Sequence, residues 1–143
     1  MVAVRLPSTL SLMNSAIELH DSKIEAMRIL GGDLHLVFCS AYVHRSAGRP
    51  GIDAGSGHVE PAEMVFAGAS FSKSGGTCIG VVSDGSLSVE NDKFENVISL
   101  PLGLSGRVSA AIAFSSGSVL AVTATGVCYR TTGPARFLEA YEG

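Results

Sequence analysis

Tryptophan is absent from this chain of 143 residues, charged side chains amount to only 16%, and cysteine is limited to 3 positions. Each shortage excludes something. With 10 Lys and Arg against 13 Asp and Glu, the net charge of -3 leaves no basic cluster to neutralise phosphates, so nucleic acid is not an expected partner. No apolar run approaches the roughly 18 residues of a helical membrane span, and Pro7 and Ser8 interrupt the opening segment before a signal-peptide core develops. Neither membrane insertion nor export is expected, and the location that follows is cytoplasmic. Cys39, Cys78 and Cys128 are odd in number, far apart and set in apolar runs, which fits free buried thiols in a reducing compartment better than disulfides. No Cys-x-x-Cys or His-x-x-x-His spacing occurs, so no metal and no cofactor is expected.

What the chain does have is apolar side chains, at 46%. At so low a charge this exceeds what one small core hides, and a subunit interface would cover the excess, so a homo-oligomer, a dimer, is expected. The length suits one β-rich domain over residues 1–143. Short apolar runs separated by Gly, Ser and Asp clusters, with 17 glycines in all, read as strands joined by turns. Residues 8–17 allow a short helix with Leu10, Met13 and Ile17 on one side. Lys23–Leu30 and Leu34–Val43 flank Gly31-Gly32-Asp33 and form the clearest hairpin. Strict alternation in its second strand puts Leu34, Leu36, Phe38 and Tyr42 on one face and Val37, Cys39, Ala41 and Val43 on the other. Further strands are expected at Met64–Phe71, at Cys78–Val82 and Leu87–Val89 around a Ser83–Ser86 turn, and at Val97–Leu102, an edge strand because of Pro101. A meander follows through Val108–Phe114, Val119–Thr125 and Val127–Thr131. Gly133-Pro134 starts a short C-terminal helix carrying Phe137, Leu138 and Tyr141. The sum is an all-β, mainly antiparallel domain of about eight short strands, a small barrel first and a sandwich second.

Residues 44–63 hold 4 glycines and 2 prolines and read as one long loop, a type of segment that is either functional or disordered. His44, Arg45, Arg49 and His58 make it a candidate anion-binding lid, offset locally by Asp53, Glu60 and Glu63. Folded back on itself, the loop has the geometry to bring His44, His58 and Glu60 to one metal ion, although their spacing is no signature. His20-Asp21-Ser22 places three catalytic residue types together. Neighbours on a strand point to opposite faces, so local bonding to the backbone is preferred over a triad. Ser70-Phe-Ser-Lys73 matches a Ser-x-x-Lys pattern at a strand end without its companion motifs, which makes it a chance match.

The His20-Asp21-Ser22 segment ahead of a hydrophobic hairpin resembles the opening of several small uncharacterised bacterial β-domain families. The likeness covers residues 17–43, with an echo in Phe114–Leu120. Some of those families are taken for immunity or accessory proteins and none has an assigned reaction, so the resemblance implies a role without catalysis. The reading is therefore a non-enzymatic binding or interaction module with no catalytic residue assigned. His20, Asp21, His44, Arg45, Arg49, His58 and Glu60 are its candidate ligand contacts, and its partner is a protein or a small ligand. The alternative is a small enzyme acting on a small anionic substrate, with His20, His44 or His58 as general base, which requires at least two of them to converge in a cleft.

Overall fold

The computed structural model describes residues 13–142. In chain order its strands are β1 (Asn14–Leu30), β2 (Asp33–Ser46), β3 (Gly55–Ala67), β4 (Ser70–Ser74), β5 (Gly80–Val89), β6 (Asp92–Glu95), β7 (Val97–Leu100), β8 (Gly103–Phe114), β9 (Val119–Thr131) and β10 (Arg136–Tyr141). All pairings are antiparallel. The path β3-β2-β1-β5-β8-β9 closes on itself through pairing of β9 with β3, giving a six-stranded barrel to which β4, β6, β7 and β10 add by pairing with parts of β9, β5, β1 and β3. Closure removes free edges and lets alternate side chains fill the interior.

The first hairpin forms as expected. Gly31 and Gly32, at φ 60° and 88°, provide the left-handed pair that a two-residue turn between right-twisted strands requires. Beyond it the alternation does not run unbroken. In β2, Leu34, Leu36 and Phe38 face the interior, then a bulge at Cys39-Ser40 shifts the register and Ala41 and Val43 take over the inward positions. Tyr42 is thus not on the face of Leu34, and Cys39 is exposed. β1 makes the matching change opposite, where Ile17 and Leu19 point inward before a bulge and Ser22 and Ile24 after it. One extra residue reverses the side-chain phase, and two facing bulges keep the strands in step. In the β8–β9 meander Val108, Ala110, Ile112 and Phe114 face the core with Leu120, Val122 and Ala124 as expected, but the segments Val119–Thr125 and Val127–Thr131 are one continuous strand through Gly126.

Five further expectations need correction. Residues 44–63 are not one loop: β2 runs to Ser46, the tip spans 47–54, and β3 starts at Gly55. The glycines there answer crowding, since a Cβ at Gly55 would collide with the Arg45 carbonyl oxygen and one at Gly57 with the Tyr42 hydroxyl. Arg136–Tyr141 is a strand and not a helix. β3 offers it a free edge over Gly55–Val59, and that ladder satisfies more backbone groups than so short a helix can. β5 runs straight through Ser83–Ser86, with a bulge between Val82 and Asp84 and its hairpin turn at Glu90-Asn91. From Asn14 onward the proposed 8–17 helix is β1, and residues 8–12 lie outside the described part. The strands number ten in place of about eight.

Four strands change partner along their length: β5 passes from β1 to β6 and β9 from β4 to β3, and the two changes that shape the mouth lie in β3 and β1. β3 pairs with β10 over Gly55–Val59 and with β9 over Ala62–Ala67. The switch falls at Pro61, which has no N–H to give a ladder, and its carbonyl accepts from Thr132 N at 2.9 Å where the chain leaves β9 for β10. β1 pairs with β7 over Ser15–Glu18 and with β5 at Lys23 and Ile24. The barrel is closed and apolar below these forks and splays into a mouth above them.

Candidate functional site at the barrel mouth

On the inner face of the mouth two adjoining clefts of about 310 and 420 Å³ share Ser15 and Arg45. The first continues along Glu60, Pro101 and Tyr129, and the second reaches Ser56 and His58. Arg45 projects here because β2 has already reversed phase, and the register sets Ser15 of β1 and Ser56 of β3 directly beside it. Among the described residues no carboxylate lies within ion-pair distance of Arg45. Glu60, the one acid on this wall, is buried and accepts a 2.6 Å hydrogen bond from the Tyr129 hydroxyl. Burial, the Tyr129 bond to Glu60 and that carboxylate's charge all push the phenol pKa upward, so Tyr129 remains a donor.

His58 contacts Ser56 Oγ through Nε2 at 2.9 Å and meets the edge of Phe137 at 5.6 Å. Its pKa lies below the ordinary value, first through burial and then through the positive charge of Arg45, with Glu60 opposing. The cleft therefore holds a fixed cation, a neutral imidazole and two hydroxyl groups. A carboxylate or phosphate entering it would accept bonds from Arg45 and the serines and would favour protonation of His58.

The opposite face of the same strands carries a second polar group. His44 Nε2 donates to Glu18 Oε1 at 2.5 Å and its Nδ1 bonds the Tyr141 hydroxyl, while Tyr42 donates to Glu139. Burial raises the pKa of both tyrosines, and for Tyr42 the Glu139 carboxylate adds to it. This network ties β10 to β1 and β2. Ser22, fully buried in the β1 bulge, donates to the Glu18 carbonyl at 2.6 Å and accepts from Tyr42 N at 2.9 Å, so its hydroxyl bonds backbone.

The residues anticipated from sequence are thereby sorted. Arg45, His58 and Glu60 come together at the mouth. His44 sits on the other face, so it cannot share a metal ion with His58 and Glu60. Arg49 is committed within the hairpin tip to Asp53, at 3.2 Å to its carboxylate, and the hydrogen bonds between them push the Arg49 pKa up and that of Asp53 down. His20 and Asp21 lie on the exposed bulge. Ser15, Ser56 and Tyr129 went unnoticed in the sequence because the phase reversals and the fork that gather them carry no sequence signature. Tyr42 and Tyr141 were misplaced by unbroken alternation and by the helix reading. Comparison of the chain with protein-family models, with curated proteins and with solved structures gives no match.

Proposed function

We propose that this protein is a non-enzymatic binding module that takes a small anionic ligand into the barrel mouth. The observation that carries the reading is Arg45, partly buried in a cleft beside Ser15, Ser56 and His58 and without a carboxylate partner among the described residues. The shallow groove on the outer wall, lined by Ser70, Ser72, Ser109, Ala121 and Thr123, has no charged group to fix a ligand. Titration of isotope-labelled protein with inorganic phosphate and with succinate should move the amide resonances of Ser15, Arg45, Ser56 and His58, and Arg45→Gln should abolish the shifts. Shifts that persist in the variant, or none at millimolar ligand, would overturn the reading.

One observation favours a second reading, a small enzyme: the neutral imidazole of His58 beside a cation is suited to serve as a general base on a bound anion. His20 and His44 do not join it in the cleft. The discriminating result is turnover lost in His58→Gln with ligand binding retained.

Self-association and a cytoplasmic setting belong to the same proposal. Exposed Phe137, Leu138, Ile52 and Met13 support the first, and three free cysteines support the second. Native mass spectrometry should show twice the 14.7 kDa chain mass.

A further inference from the structure

The β1 bulge gathers three metal-ligating side chains that a regular strand would scatter. Asp21 adopts φ 74°, and the residues to either side are held from outside: Leu19 N and His20 N donate to the Asn96 carbonyl and Asn96 Oδ1, each at 2.7 Å, and Ser22 bonds Glu18 and Tyr42. As a result Glu18, His20 and Asp21 each bring one donor atom within 4.8 Å of the others. His20 Nδ1 stands 3.5 Å from Glu18 Oε2 and 3.3 Å from Asp21 Oδ2. Donors around a tetrahedral ion at bond lengths of about 2.0–2.1 Å are spaced about 3.3–3.4 Å apart, so two edges of a coordination set are already in place.

We propose that Glu18, His20 and Asp21 bind a divalent transition-metal ion of the zinc type. Two carboxylates balance the charge of such an ion, and among the described residues neither meets a Lys or Arg. One imidazole nitrogen with two carboxylate oxygens favours zinc or cobalt over magnesium and calcium, which take oxygen alone. The third edge, between the Glu18 and Asp21 carboxylates, is already within 4.8 Å, and water would complete the shell. Glu18 is oriented for this task from behind, because its other oxygen is bonded to the buried His44, which Tyr141 holds in turn. The site lies on the outer face and is independent of the anion cleft.

The test is titration of the full chain with Co²⁺, followed by visible absorption, then displacement with Zn²⁺. One ion per chain should bind with the absorption of a tetrahedral nitrogen and oxygen site. His20→Ala and Asp21→Asn should each weaken binding by more than about tenfold, while His44→Gln, which removes only the supporting partner, should weaken it by about 10-fold to 100-fold at most. Asn tolerates the left-handed backbone at position 21. In the unaltered protein Zn²⁺ should also shift the His20 ring-nitrogen resonances. Affinity unchanged in His20→Ala, thiolate-to-metal charge-transfer bands, or an unmoved His20 ring would each overturn the proposal.

Discussion

The two halves of the barrel use the same strands for opposite ends. Below the forks, Phe38, Phe66, Met64, Ile112 and Leu120 are fully buried in one apolar cluster, which among the described residues holds no charged side chain. Above them, the inward positions of β1, β2 and β3 carry Ser15, Arg45, Ser56, His58 and Glu60. What changes between the halves is partnership. Where β3 and β1 trade one neighbour for another, two open clefts cut the wall, and the free-energy argument that keeps charge out of a core no longer holds. A strand's role is thus set by what lies beside it.

Substitutions can break this contrast. The largest effect is expected in the sealed half, where Phe66→Ala should cost about 3–5 kcal/mol in urea unfolding. A loss much below that would show that the lower barrel is loosely packed. At the boundary, Ser22→Ala removes the hydroxyl that serves Glu18 and Tyr42 backbone groups and should cost about 1–3 kcal/mol. In the mouth, Arg45→Gln should leave stability within about 0.5 kcal/mol while raising the His58 pKa measured by NMR, because the repulsive charge is gone. A large stability loss would mean that Arg45 is structural, against the binding reading. The smallest effect concerns the outer wall. Glu63 accepts from His35 and from Arg130, each at 2.9 Å, and these bonds hold its pKa below the ordinary value. Its contribution is present above the unfolded-state pKa and is lost as pH falls through the lower folded-state value, so Glu63→Gln should flatten acid unfolding by about 0.5–1 kcal/mol.

Much of the lower barrel was legible from the chain. Gly31-Gly32 announced its turn, and Val108 to Phe114 announced their inward face by simple alternation. The mouth was not, and particular residues say why. Gly55 and Gly57 look like loop residues, yet they mark places where a carbonyl and a phenol press against the strand. Arg45 and His58 were noticed, but as parts of a lid, since only the reversal at Cys39-Ser40 turns Arg45 inward. Gly133-Pro134 reads as a helix start because β3's vacant edge, which captures the segment, lies far away in sequence.

Closure also governs how quickly this protein can reach its native state. The seam between β3 and β9 joins segments that the Tyr129 to Glu60 bond alone shows to be 69 residues apart. Most of the entropy of bringing the ends together is spent before that seam rewards it, which places the chain among slow, topology-limited folders on the millisecond to second scale. During that interval β3 has one edge unprotected, and Val59 to Phe66 is the stretch on which a chaperone, or an aggregate, would act first.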